Sequence, residues 1–165
     1  MEGAPGEAWT AAQIERNRSA TIEELLERWA TQTPMFAETI QSIGEGRPPF
    51  DCHTHEHDIR HAVGRPGNRD SLIIESMAAG LAVVDGCRVA LDVVLGGRPI
   101  RSGPAAGPAA VTLEWITPFE LFRSRPGRRS REQMRAWSWV GDDADIEAVL
   151  DVWAFFGPTE EPIVE

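Results

Sequence analysis

The sequence predicts an α+β protein, helical as far as residue 85 and continuing as a small α/β unit over residues 86–165. Two patterns carry that expectation. Apolar residues recur every three or four positions between Ile22 and Ile43 and again between Leu72 and Val84, the spacing of helices that bury one stripe. After Gly86 the period falls to two, with Val89, Leu91 and Val93 on one face and later Val111, Leu113 and Trp115, as in half-buried strands. A chain of 165 residues, 42% of them apolar, can enclose a core in one domain or two small ones.

Taken in order, residues 1–12 read as a loose lead-in, with a short helical piece opening at Trp9 and Thr10. Thr21 and Glu24 have the spacing of a capping box, which starts an amphipathic helix carrying Ile22, Leu25, Leu26, Trp29, Phe36, Ile40 and Ile43 to a stop at Gly44. Its Trp/Phe stripe is expected to be core, and Pro34 to kink or split the helix near Thr33. Glu45–Pro49 is a connection, a histidine-rich helix covers Asp51 to Val63, and Gly64–Gly67 stops it. Asp70 or Ser71 caps the next helix, with Leu72, Ile73, Met77, Leu81 and Val84 as its stripe. A strand follows over Cys87–Leu95, a turn at Gly96–Pro99, a loop over Ser102–Pro108 and a strand over Ala110–Ile116. Thr117, Pro118 and Glu120 open a helix that ends at Pro126-Gly127. Further helices are expected over Arg129–Trp139 and Asp145–Phe156, the last turned inward through Ile146, Val149, Leu150 and Trp153, with a tail from Thr159.

Composition limits the function. The net charge of -10 argues against general binding to nucleic acid or anionic membrane, and the absence of Tyr leaves the six Trp better read as core than as base-stacking surfaces. No apolar run approaches the ~18 residues that a membrane helix needs. MEGAPGEAW lacks the basic start and apolar centre of a signal peptide, and Cys52 and Cys87 are too few for a disulfide scaffold. A cytoplasmic protein is expected.

The chemistry is concentrated in FDCHTHEHDIRHAVGRP, residues 50–66, which holds all four histidines: His53, His55, His57 and His61. On a helix, residues four apart share a face, pairing Asp51 with His55, His53 with His57, and His57 with His61. Such pairs are how two side chains of one helix grip one zinc ion. The alternative is a polar helix whose histidines bond to neighbouring acids. His55-Glu56 begins an HExxH pattern, but Ile59 occupies the position of its second histidine.

The run His55–Arg60, with Gly64-Arg-Pro66 and Arg69-Asp70-Ser71, resembles the fourth helix of the mycothiol-dependent maleylpyruvate isomerase family, whose helical domain is of the DinB type. The second half resembles that family's carboxy-terminal domain, which is similar to the sterol-carrier-protein fold, through Thr117–Arg123, Gly127–Gln133 and Trp139–Asp142. The resemblance spans residues 9–157 and implies a shortened DinB-like domain over 1–85, lacking the amino-terminal helical pair, and an α/β domain over 86–165. It implies Asp51 and His55 as ligands of zinc or another divalent metal, with Asp58 supporting them from behind. Asp51 stands where the family usually has glutamate, and the histidine ligand the family takes from an earlier helix has no counterpart before His53; Cys52, His57, His61 or a second subunit are the candidates to complete the set. The activity implied is metal-assisted cis–trans isomerisation or thiol transfer with mycothiol: a thiolate adds to an activated double bond, the single bond rotates, and elimination gives the trans isomer.

Six arginines fall between Arg123 and Arg135 with only Glu132 opposing them. Guanidinium groups match carboxylates bidentately, so Arg128, Arg129 and Arg131 are candidates to hold a small anionic substrate or the anionic end of the thiol. The competing account is a solvated helix face that balances the acids of Asp142–Asp151. At the level of function, the alternative to an enzyme is a shortened, non-catalytic relative that binds a ligand or partner. An uncovered face over Ile22–Ile43 either lowers solubility or is buried in a homodimer.

Overall fold

The computed structural model describes residues 7–43 and 47–165. The described residues form an α+β structure of seven helices and a four-stranded mixed sheet, and they divide into two compact units at Gly46/Arg47.

The first unit holds α1 (Glu7–Asn17) and α2 (Ile22–Ile43). The capping box at the start of α2 is formed: the Glu24 N–H donates to Thr21 Oγ1 at 3.2 Å, and the Thr21 N–H donates to the Glu24 carboxylate at 2.9 Å. Pro34 does not end the helix, which continues through it, and the Thr33 hydroxyl donates to the Trp29 carbonyl at 2.8 Å. The stripe expected to be core is exposed instead, from Ile22, Leu25 and Leu26 through Trp29, 65% exposed, to Phe36. Helical spacing fixes which residues share a face, but not what covers that face. The expected stop at Gly44 lies outside the described residues, as do residues 1–6 of the lead-in and residues 45 and 46 of the connection.

The second unit begins with α3 (Arg47–Ala62). This histidine helix starts four residues before its predicted start, because Pro48 and Pro49 occupy the first turn, where the missing N–H groups have no helical partner to lose. It closes as predicted at Gly64, whose N–H donates to the His61 carbonyl at 3.0 Å while the Arg65 N–H donates to Arg60 at 2.8 Å. Helix α4 (Leu72–Leu81) is capped by Ser71, which accepts from the Ile74 N–H. Within the helix Ile74 and Ala78 are buried; of the predicted stripe, Val84, just past the helix, is buried, Ile73, Met77 and Leu81 are half-buried, and Leu72 faces solvent.

The sheet has strand order β2-β1-β3-β4, built from β1 (Leu91–Leu95), β2 (Arg98–Ser102), β3 (Val111–Leu113) and β4 (Trp139–Val140). Strands β1 and β2 form a hairpin in which Leu95 pairs with Arg98 across Gly96-Gly97, both at positive φ as a two-residue turn requires. Strand β2, predicted as turn and loop, carries Pro99 and lies at the sheet edge, where a missing donor is tolerated. Strands β1 and β3 pair parallel, and β3 and β4 antiparallel. Trp115, predicted on the inner face of β3, lies past the strand's end and is exposed.

Helix α5 (Pro118–Ser124) starts on Thr117, which accepts from the Glu120 N–H at 3.1 Å. The helix predicted over Arg129–Trp139 reduces to α6 (Arg131–Arg135), because Ser130 caps it with a box to Gln133 and the Trp139 main chain pairs with Leu113. Helix α7 (Asp143–Trp153) buries Ile146, Val149, Leu150 and Trp153 as expected. The main core joins these to Leu91, Val93, Val111, Leu113, Leu121 and Met134. A second cluster of Ile74, Phe119 and Phe122, with Phe50 packed against it, joins α3, α4 and α5 and positions the candidate site.

Candidate functional site

Helix α3 has two chemically different faces. One is inserted into the aromatic cluster: His57 is 3% exposed, with its ring centroid 5.0 Å from that of Phe119 and 6.3 Å from that of Phe122, and Thr54 is buried beside it. His57 Nε2 has no hydrogen-bond partner. Burial, reinforced by the Arg123 charge, pushes the His57 pKa down, so the ring is a neutral core group.

The other face carries Asp51, His55 and Asp58. His55 Nδ1 lies 3.2 Å from Asp58 Oδ2, and His55 Nε2 lies 3.6 Å from Asp51 Oδ1. Asp58 is held from below by two arginines. Arg123 Nη2 donates to its Oδ1 at 2.8 Å, and Arg128 Nη2 donates to its Oδ2 at 2.9 Å. Burial works to raise the Asp58 pKa, but the hydrogen bonds and charges of Arg128 and Arg123 outweigh it, leaving the pKa below its ordinary value.

Arg123 is the centre of this arrangement and was not singled out by the sequence. Its side chain is 1% exposed. Besides Asp58 it holds the Thr54 carbonyl through Nη1 at 3.0 Å and grips Glu165 bidentately, through Nε at 2.9 Å and Nη2 at 2.6 Å. Arg129 completes the group, holding Glu120 bidentately at 2.8 Å for both bonds and Glu165 Oε2 at 3.0 Å. Three guanidinium groups, of Arg123, Arg128 and Arg129, therefore face three carboxylates, of Asp58, Glu120 and Glu165. The predicted reply of Glu120 to the Thr117 cap is replaced by its bond to Arg129.

Local structure explains this convergence. Phe119 and Phe122 anchor one side of α5, which points Arg123 at α3. Gly127 then ends the helix: its N–H donates to Ser124 at 2.9 Å, and the Arg128 N–H donates to Arg123 at 2.8 Å. At Gly127 φ is +82°, and a Cβ there would collide with the Gly157 carbonyl, so only glycine delivers Arg128 and Arg129 to the network.

The structure separates the three predicted arginines. Arg128 and Arg129 are in the network, whereas Arg131 lies between α6 and α7, bonded to Glu147 at 2.6 Å and Asp151 at 2.8 Å. Arg135 joins Arg131 there through Asp143 and Glu147, so these two balance the last helix's acids as the competing account expected. Arg125 is buried under Trp153 and Phe155, bonded to the Trp153 and Val83 carbonyls, and burial lowers its pKa to about 10.

Of the predicted metal donors, the structure brings together Asp51 and His55 and sets Asp58 behind them. At about 100° per residue, Cys52, His57 and His61 lie around the helix from that pair. Cys52 and His61 are exposed, and His57 is in the core. Among the described residues, no group of three or more His, Cys, Asp or Glu forms that could hold a metal ion. The donors present fit half of a zinc centre: one imidazole and one carboxylate, with the imidazole oriented from behind.

The acid response follows from the network. Burial works to raise the Glu165 pKa, but Arg123 and Arg129 outweigh it, so the folded pKa, like that of Asp58, lies below the unfolded one. A depressed carboxylate stabilises the fold fully above its unfolded pKa, about 4 for Asp and Glu, and loses that contribution as pH falls through the folded value. Denaturation midpoints followed from pH 7 to pH 3 are therefore expected to fall below about pH 4, and Glu165→Gln, weaker at neutral pH, to show the shallower decline.

Comparison with known proteins returned no match: no family model, no curated protein and no solved structure matches the chain.

Proposed function

We propose that the protein is a metal-dependent, thiol-dependent isomerase or thiol transferase of the kind its resemblance to the maleylpyruvate isomerases implies, with Asp51 and His55 as metal donors. The observation that carries this reading is the setting of the His55 ring. A proton on Nδ1 bonded to Asp58 leaves the Nε2 lone pair turned towards Asp51, the carboxylate-backed arrangement typical of metal-ligating histidines. Arg123 and Arg128 keep Asp58 ionised and fixed, so they orient His55 at one remove. Zinc, when bound, supplies a thiolate at neutral pH from a thiol such as mycothiol.

Arg128 is the arginine on this face that is partly open to solvent, and it is our candidate to orient a small anionic substrate. A second subunit would supply the third donor. The setting proposed with this activity is a reducing cytoplasm, in keeping with the two free cysteines. No helix among the described residues is long and apolar enough to cross a membrane.

A second reading, a non-catalytic relative that binds a ligand or partner, is favoured by the two-donor set and by the internal pairing of Arg128, Arg129 and Arg131. Metal content per chain separates the two. The enzyme reading expects near-stoichiometric zinc in the untagged protein and clearly less in His55→Ala.

A further inference from the structure

The carboxylate that fills the Arg123–Arg129 cradle belongs to the chain's own segment 159–165. Residues 159–165 form neither helix nor strand apart from one bridge between Ser130 and Thr159. Three backbone contacts hold them: the Thr159 N–H to the Arg129 carbonyl at 3.2 Å, the Ile163 N–H to Gln133 Oε1 at 3.2 Å, and the Gln133 amide to the Ile163 carbonyl at 2.8 Å. Glu160, Glu161, Pro162 and Val164 are exposed. At the end of this thinly attached stretch the Glu165 side chain is 4% exposed and takes three charged hydrogen bonds.

The two arginines do not depend on Glu165 for their positions. Arg123 keeps Asp58 and the Thr54 carbonyl, and Arg129 keeps both oxygens of Glu120 and the Arg128 carbonyl. Withdrawal of Glu165 leaves three guanidinium groups facing two carboxylates, a preformed cavity with one uncompensated positive charge and N–H donors set for two coplanar oxygens. Residues 159–164, with few buried contacts, add little to the cost of opening, which is set by the ion pairs of Glu165 itself.

We propose that the Arg123–Arg129 cradle is a binding site for one carboxylate group of a small molecule, and that Glu165 is its exchangeable internal occupant. A ligand bound there lies against the guanidinium that fixes Asp58, and so within one carboxylate of His55. The segment 159–165 then competes with ligand and sets the concentration at which the site fills. The inference does not rest on the metal-and-thiol reading, because it needs neither a metal nor a thiol.

The test uses the full chain without metal, with sodium formate as probe and sodium chloride and phosphate at matched ionic strength as controls. Glu165→Ala is expected to lower Tm by about 5 °C, and formate to recover at least half of that loss where chloride and phosphate do not. Glu165→Gln, which keeps the side chain's shape, carries the same comparison if the alanine variant does not fold. In the unmodified chain, amide exchange at Thr159 and Ile163 is expected to quicken several-fold as formate is raised, reporting release of the segment. Equal effects of formate and chloride on the variants, together with unchanged exchange, would overturn the proposal. Rescue by phosphate equal to that by formate would overturn its carboxylate specificity.

Discussion

Replacement of Arg123 by alanine is expected to cost about 3–5 kcal/mol, the usual penalty for breaking a buried ion pair by removing one partner. The size follows from what is stranded. Glu165, buried with Arg123, loses its bidentate partner, Asp58 keeps only Arg128, and the Thr54 carbonyl loses a charged donor. Against a typical total of about 5–15 kcal/mol, that leaves a weakly folded protein. Urea denaturation checks this, and Arg131→Ala is the internal control. Arg131 is 40% exposed and its partners are more so, and its loss should cost no more than about 1 kcal/mol. Adding Glu165→Met to an Arg123→Met change should restore part of the loss, since removing both charges leaves fewer ions unpaired.

Trp153→Ala is expected to be comparably severe, about 3–5 kcal/mol for a large aromatic removed from a packed core. Its ring is fully buried, 5.5 Å from the Trp137 centroid and 5.7 Å from that of Trp139, and its Nε1 donates to the buried Ser124 hydroxyl at 2.9 Å. Trp153 thereby joins α7 to β4 and to the last residue of α5, the helix that presents Arg123. Thermal unfolding followed by far-UV circular dichroism checks the effect without relying on the fluorescence that the substitution removes. Trp115→Ala, at an exposed position, should stay within about 0.5 kcal/mol.

Much of the fold was written in local patterns. The caps at Thr21, Ser71 and Thr117, the glycine stop at Gly64 and the alternation at Leu91 and Val93 each depend on a few neighbouring residues, and each is realised. Burial was less legible, because it depends on partners distant in the chain. Of the six Trp expected in the core, Trp137, Trp139 and Trp153 pack together, while Trp9, Trp29 and Trp115 are exposed. Strand β4 was hidden for the same reason, since two residues become a strand only through the partner that pairs with them.

The site divides along the same line. The shared face of Asp51, His55 and Asp58 follows from helical spacing alone, and so was visible. The pairing of Arg123 with Asp58 and Glu165 joins residues 65 and 42 positions apart, and nothing in the residues before Glu165 marks it as a buried group. The one available signal was Arg123 itself, an arginine directly after Phe119, Leu121 and Phe122, the apolar residues of a short helix. The arginine-rich stretch looked like one patch in sequence, but Gly127 and the Ser130 cap turn the backbone between its members. Arg128 and Arg129 accordingly face α3 and the tail, and Arg131 faces α7.

The proposed metal site of Asp51 and His55 is tested by elemental analysis of the untagged chain after zinc loading and gel filtration, beside His55→Ala and Asp58→Asn. Close to one zinc per chain is expected in the parent, with clear loss in His55→Ala and weakened retention in Asp58→Asn, where the ring loses its ionised support. No retained zinc in the parent, or the same content in all three proteins, would contradict it and leave α3 as a structural helix in a ligand- or partner-binding protein.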